Sequence, residues 1–385
     1  MPPKITVCIV TYNQGEMLRE AISSVINQTY RDMKIVVLDD ASTDCTPEIA
    51  ASFGDPRLVY IRHERNIGAL NNWNYAIDCA DTEYVNIFHG DDRMFPWMIE
   101  KLVGVLENNP TVGLAGSGRF FPAGPGAIPA KRKPTAGKHY KTAAYAREHI
   151  RKCRHSIAAP SVVIRKKTFD NLGVRFRTDA GPAADLFFIL EANALGVELF
   201  TTREPLLEYR LHEAGWTKKG GFDSWFDSFC RVEDLAARII PEADMSLWRR
   251  KTAKIVFEIT AAFSSLNDLS RQRRLMEDRG WRVSDYDVLD ALARTLVKTD
   301  PEISLPAAKG LLKNAFREHD WAFSEIAFKK SAARSTIREF IKKIARREKT
   351  YADYRKYRAD ILESGLKIPL HREIGWFLEY VVLKR

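Results

Sequence analysis

Lys34-Ile35-Val36-Val37-Leu38-Asp39-Asp40-Ala41-Ser42-Thr43-Asp44 is a run of apolar, largely β-branched residues that stops abruptly in acids and hydroxyls. Lys34 to Leu38 reads as a buried strand, the polar residues after it as a turn, and Thr46 to Phe53 as the helix behind it. The same unit stands on both sides. Upstream, Ile5 to Val10 is apolar, Thr11-Tyr12-Asn13-Gln14-Gly15 is turn-like, and Met17 to Asn27 repeats apolar residues at helical spacing. Downstream come a strand over Leu58 to Arg62, a helix over Asn71 to Cys79, and a strand over Tyr84 to Phe88 that ends in His89-Gly90-Asp91-Asp92. Strands alternating with helices imply an α/β fold with a mostly parallel sheet and right-handed crossovers, and such sheets bind ligands at the carboxyl ends of their strands.

Further along, residues 119–146 read as a loop able to lie over those strand ends. Ser161 to Arg165 returns to strand, Ala184 to Leu195 is helical, Glu198 to Thr201 and Leu206 to Tyr209 are short strands, and Gly215 to Gly221 is a linker. The expected domains are therefore 1–215, carrying the sheet, and 216–385, which is all-α. Helices are expected there over Trp225 to Ile239, Met245 to Leu266, Val288 to Val297, Leu305 to Arg317, Ser331 to Arg347 and Glu373 to Leu383.

Composition bounds the function. With 385 residues, 45% hydrophobic and 29% charged, the chain is an ordinary globular protein long enough for two domains. No window approaches the roughly 18 consecutive apolar residues of a membrane span, and the start lacks a secretory pattern, so the expected location is cytoplasmic. Five scattered cysteines without a CxxC pair argue against a structural zinc site or a disulfide framework. A net charge of +10 points to a polyanionic partner: nucleic acid, anionic lipid or a phosphate-rich substrate. No nucleic-acid module is recognisable, which ranks nucleic acid last. GxGxxG, P-loop, HExxH and GxSxG motifs are absent.

Acids at two strand ends of one sheet suit a diphosphate, which needs a divalent cation to bridge it to carboxylates. Mg2+ and Mn2+ take oxygen ligands, so Asp is the expected residue. Each pair also has a purely structural reading: Asp91-Asp92 as helix N-terminal residues, Asp39-Asp40 as turn chemistry. Taken together, Ile9-Val10-Thr11-Tyr12-Asn13, Val36 to Asp44, Asn66-Ile67-Gly68 and Gly90-Asp91-Asp92 resemble the family 2 glycosyltransferases of GT-A fold, over roughly residues 4 to 215.

The resemblance implies a nucleotide-diphosphate sugar as donor, UDP-sugars favoured, with Mn2+ or Mg2+ as cofactor. It implies that Thr11 and Tyr12 pack the base, that Asp39 hydrogen-bonds it, and that Asn13, Asp40, Ser42, Asn66, Gly68 and Asn74 complete the nucleotide site. Asp91 matches the metal-holding aspartate, with Asp92 and His212 beside it. His89, Gly90, Asp92, Arg210 and His212 would face the donor diphosphate. An inverting transfer needs a base for the acceptor hydroxyl. Asp185, at the start of an apolar helix, is the candidate, with Asp179 as backup and a helix N-cap as its structural alternative. Two departures stand out. His89 replaces the first acid of the metal motif, and Trp73 stands where the family often has arginine.

The basic segment with Lys342, Lys343, Arg346, Arg347, Lys349, Arg355, Lys356 and Arg358 reads as a solvated helix face, an anionic-membrane patch or a surface for an anionic acceptor. The apolar Ile374 to Leu383 suits an interfacial helix, a core helix or a homo-oligomer seam. A glycan or lipid-linked acceptor at the inner membrane face would reconcile these features by analogy. The rival functions are a sugar nucleotidyltransferase, which usually opens on a Gly-rich basic loop absent here, and a non-catalytic scaffold on a degenerate transferase.

Overall fold

The computed structural model describes residues 2–118, 121–122, 137–152, 157–210, 212, 221–239, 242–261, 266–285, 287–289, 311 and 313. Chain order runs β1 (Ile5–Thr11), α1 (Gly15–Ile26), β2 (Met33–Asp39), α2 (Thr46–Ala51), β3 (Leu58–Arg62), α3 (Ala69–Asp78), β4 (Tyr84–His89), β5 (Arg93–Met94), α4 (Met98–Asn108) and β6 (Val112–Ser117). It continues with β7 (Phe121–Pro122), β8 (Lys138–Tyr140), α5 (Ala144–Lys152), β9 (Val163–Arg165), α6 (Lys166–Leu172), α7 (Ala184–Ala194), β10 (Glu198–Thr202), β11 (Leu207–Tyr209), α8 (Phe222–Ala236), α9 (Glu242–Ala261) and α10 (Leu266–Asp278).

Among the described residues the main sheet has the order β3-β2-β1-β4-β9-β6-β10-β8, and a small second sheet runs β5-β11-β7. β3, β2, β1 and β4 are parallel neighbours. β9 runs antiparallel between β4 and β6, and β8 is antiparallel to β10. The mostly parallel sheet flanked by helices is thus the expected one. All seven residues of β1 are buried, as befits a strand covered on both faces. One face packs Ile5, Val7 and Ile9 with Leu18, Ile22 and Val25 of α1 and Ile99, Leu102 and Leu106 of α4. Each such side chain contributes roughly 1.5–3 kcal/mol.

Inside the expected loop over 119–146 fall β7, β8 and the start of α5: β7 pairs with β11, and Lys138 to Tyr140 pair with β10. Residues 119–120 and 123–136 lie outside the described residues.

The chain separates into two compact units, Met1–Trp248 and Arg249–Arg385. This division differs from the expected 215/216 boundary because α8 packs with the first unit. Ser228 of α8 accepts the Ala183 N–H at 2.9 Å and donates to the Ala180 carbonyl. In the second unit Lys254 pairs with Asp287 at 2.9 Å, and Trp281 and Val288 are buried. The helices expected over Leu305 to Arg317, Ser331 to Arg347 and Glu373 to Leu383 lie outside the described residues, save positions 311 and 313, as do the basic cluster and the apolar C-terminal segment. Among the described residues no helix is long and apolar enough to cross a membrane.

Candidate active site

Register brings the polar strand ends together. Thr11 is opposite Asp39, Val10 opposite His89, and Asp39 opposite Arg62. Beyond β1 the chain turns at Asn13, which has a left-handed φ of 51°. Its N–H donates to Ser42 Oγ at 2.9 Å, and its Oδ1 accepts the Thr43 N–H at 2.8 Å. Asp39 is fully buried: Oδ1 accepts the Ser42 N–H at 2.9 Å, Oδ2 accepts the Tyr60 hydroxyl at 2.6 Å, and Arg62 Nε lies 3.4 Å away. Burial and the bond to Asp39 raise the Tyr60 phenol well above its ordinary pKa, so Tyr60 stays a donor. Tyr12, 48% exposed, stands on the rim of these loops.

Several residues expected to touch the nucleotide hold the loops at these strand ends together. Asp40 accepts the Ile67 and Gly68 N–H groups at 2.7 and 3.0 Å, and Asn66 Oδ1 also lies 3.1 Å from the Gly68 nitrogen. Gly68 has φ +86°, a backbone that side chains resist, and it starts α3. Asn74 spends its amide on Phe176, donating to the carbonyl at 2.8 Å and accepting the N–H at 2.7 Å. Asn74→Ala is therefore expected to destabilise the fold by about 1–3 kcal/mol while nucleotide affinity is retained. Thermal melts with and without nucleoside diphosphate check this, and a lost nucleotide response at unchanged stability would return Asn74 to the binding site. Tyr60 and Arg62 were missed from sequence. Their signal was alternation: both lie on one side of β3 beside Asp39.

The turn after β4 gathers His89, Asp91 and Asp92, whose potential ligand atoms all lie within 4.8 Å of one another. Asp92 is completely buried. Its Oδ1 accepts the Arg210 N–H at 3.0 Å, whereas Oδ2 has no hydrogen-bond partner and lies 4.0 Å from His89 Nδ1. That separation is too long for a hydrogen bond. Burial, then the charge of Asp91, push the Asp92 carboxyl well above the usual range. Burial pulls the His89 imidazole below its ordinary pKa, which leaves it neutral. Thr11 Oγ1 and Gln14 Oε1 are also buried without partners. Both border Gly90, where a Cβ would come within 2.3 Å of Gln14 Oε1 and 3.1 Å of Thr11 Oγ1.

Unpartnered buried oxygens around one turn call for a ligand. A cation bonded at about 2.1 Å to each of three atoms holds them within roughly 4.2 Å of one another, so the group fits after closing by a few tenths of an ångström. His212 Nε2 lies 3.0 Å from Asp91 Oδ2, at the edge of the same group. Arg210 is committed elsewhere. Its guanidinium bonds the carbonyls of Met17, Asp91 and Asp92 and pairs with Glu20 at 3.2 Å, bracing the turn.

Asp185 lies in the first turn of α7, with Oδ1 accepting the Leu186 N–H at 2.7 Å. With His89 and Trp73 it lines a cavity of about 20 Å³, floored by Phe176 and Phe188. Trp73 stacks on His89, ring centroids 4.8 Å apart and 22° from parallel. The two departures from the family pattern therefore meet. Asp179 is instead clamped by Arg177 at 2.9 Å and Arg231 at 2.7 Å, and the Arg177 bond holds its carboxyl below the usual range.

Residues 6–172 match the model of glycosyl transferase family 2. An uncharacterized glycosyltransferase of Haemophilus influenzae is 30% identical over 220 residues, 54% of this chain and 66% of that one. Another, from Methanocaldococcus jannaschii, is 30% identical over 214 residues, 54% of this chain and 71% of that one. The matched stretch thus spans about two thirds of each relative. Among solved structures, S. aureus TarS 1–349 in complex with UDP-GlcNAc is similar with a TM-score of 0.54 at 17% identity, covering 82% of this chain and 88% of that one, a likeness of fold. From its sheet order and these matches, the chain belongs to glycosyl transferase family 2 and carries that family's GT-A-type sheet.

Proposed function

We propose that the chain is a cation-dependent, inverting glycosyltransferase that moves a sugar from a nucleotide-diphosphate sugar, favoured as a UDP-sugar, to a glycan or lipid-linked acceptor hydroxyl. The observation that carries the reading is the buried, unpartnered Asp92 Oδ2 beside Asp91 and His89 at the carboxyl end of β4. Support also comes from TarS, solved in complex with UDP-GlcNAc. A divalent cation held by Asp91 and Asp92 would neutralise the donor diphosphate as it leaves. The chain's own groups do the rest. Tyr12 packs the base, the loops pinned by Asp40 and Asn13 shape its pocket, and Asp185 accepts the proton of the acceptor hydroxyl. As that oxygen bonds to the anomeric carbon, the bond from the carbon to the diphosphate breaks, inverting the centre.

We assign residues 216–385, basic in composition, to the acceptor, an anionic membrane surface or a second copy of the chain. Their positive charge supports the first two, and the apolar Ile374 to Leu383 the third.

Thermal stabilisation by nucleoside diphosphates, with and without manganese, tests the reading. A ligand at about 100 times its Kd stabilises by roughly 2.7 kcal/mol. One nucleotide is expected to raise Tm in a manganese-dependent way, and Asp91→Ala to abolish the rise. A nucleotide series that leaves Tm unmoved would overturn the donor site. The replacement of the first motif acid by His89 favours one second reading, a non-catalytic scaffold; sugar-nucleotide hydrolysis lost in Asp91→Ala counts against it.

A further inference from the structure

We propose that His89 is itself a ligand of the cation, so that the site is a His–Asp–Asp centre preferring Co2+ and Mn2+ to Mg2+, with Trp73 as the positioning residue that holds the imidazole. This rests on the cation-dependent reading above and goes beyond it in assigning the metal preference and the residues that set it.

Three observations carry the inference independently of charge count. Asp92 Oδ2 is buried, unpartnered and aimed at His89 Nδ1 across a 4.0 Å gap, too wide for a hydrogen bond and fitting for a shared ion. His89, Asp91 and Asp92 present their donor atoms within 4.8 Å of one another. The imidazole is not free to turn away, because Trp73 is stacked on it at 4.8 Å, and Trp73 is itself fixed against Phe176 at 5.1 Å, edge to face. Such supporting contacts orient metal-binding imidazoles and tune their affinity.

Chemistry then sets the preference. Mg2+ demands near-ideal octahedral oxygen ligation and sheds water reluctantly, whereas an imidazole nitrogen favours later divalent ions. Replacing one carboxylate of an all-oxygen site by a neutral nitrogen lowers the site's negative charge and penalises Mg2+ most. Trp73 suits a histidine at position 89, because an imidazole can stack on an indole face and a carboxylate cannot.

The test uses the full chain. Calorimetric titration with CoCl2, MnCl2 and MgCl2, without nucleotide, gives the three affinities. Pulsed EPR of bound Mn2+ reads nitrogen coupling from a ligating imidazole. Wild type is expected to show nitrogen coupling and to bind Co2+ more tightly than Mg2+. His89→Asp should lose the coupling and reduce the Co2+ to Mg2+ affinity ratio by about tenfold or more. Trp73→Leu should weaken Mn2+ binding about 10–100-fold with the histidine still present, and His212→Asn should keep the coupling. Nitrogen coupling that survives in His89→Asp, or an unchanged metal ratio, overturns the inference. If Asp91→Ala nevertheless abolishes Mn2+ binding, the donor-site reading stands without it. If wild type binds none of the three ions, the inference falls; the donor-site reading falls with it only if nucleoside diphosphate and manganese together leave Tm unmoved.

Discussion

Asp185→Asn is expected to lower kcat by about 10²–10⁴-fold while manganese-dependent stabilisation by nucleoside diphosphate stays at the wild-type level. Asn preserves volume and can still accept the Leu186 N–H that Asp185 accepts at 2.7 Å, so the first turn of α7 keeps its geometry. What it loses is the capacity to take a proton. Asp185 shares its cavity with His89 and Trp73. As the proposed base, it would act on the acceptor hydroxyl, so donor binding should not register its loss. Asp179→Asn is the control. With Arg177 and Arg231 already on its carboxylate, its removal should perturb the local ion pairs and leave kcat within about threefold, the scale of a surface ion pair. If Asp179→Asn carries the large loss and Asp185→Asn does not, the base assignment is reversed.

The difference between those two aspartates shows where sequence reasoning reached its limit. Both sit near the start of an apolar helix, and local chemistry makes each a reasonable cap. Only tertiary packing puts Arg231, from α8, on Asp179 and leaves Asp185 beside the site. The strands and their polar ends were legible because burial on both faces produces short apolar runs, as in Ile5 to Val10 and Lys34 to Leu38, and because the period of strand and helix alternates. The residues expected at the nucleotide were legible as polar loop residues and less so in their individual partners. Asp40, Asn66 and Asn74 carry the polar side chains expected of binding residues, but the backbone amides of Ile67, Gly68 and Phe176 claim them. Those partners are 2 to 102 residues away in sequence, and spacing does not announce the longer of these pairings. Conversely, Tyr60 and Arg62 escaped notice because β3 looked like an ordinary strand, and their importance follows from the register that sets Asp39 opposite Arg62. His89 and Trp73 appeared in the sequence as two unrelated departures from a family pattern. The fold makes them one contact.

Asp92→Asn is expected to raise the stability of the cation-free protein at neutral pH by about 1–3 kcal/mol, the scale on which a disfavoured buried ionisation weakens a fold, and to remove most of the stabilisation by Mn2+. The fully buried carboxyl keeps one bond, from the Arg210 N–H to Oδ1, and its other oxygen has no partner. Burial first, and the Asp91 charge second, raise its pKa in the folded state. The sign follows from that direction. An unfolded carboxyl ionises near pH 3.9, so between that value and the raised folded value the native state binds more protons than the unfolded one, and stability falls as pH rises. Asn does not ionise and can still accept from Arg210. Its advantage should therefore be absent at pH values below the unfolded carboxyl range, grow between that range and the folded value, and stay constant above it. Added Mn2+ reverses the order, because wild type gains binding energy from a site that the variant has damaged. Thermal melts at acid and neutral pH, in chelator and in excess Mn2+, read all four corners. A variant less stable than wild type in chelator at neutral pH would mean that Asp92 Oδ2 has a partner in the cation-free protein, and the argument for a cation at this turn would lose its central observation. A crossing of the two proteins' stabilities on adding Mn2+ would instead identify a buried charge kept for binding at the expense of the fold, as functional sites in stable scaffolds often do.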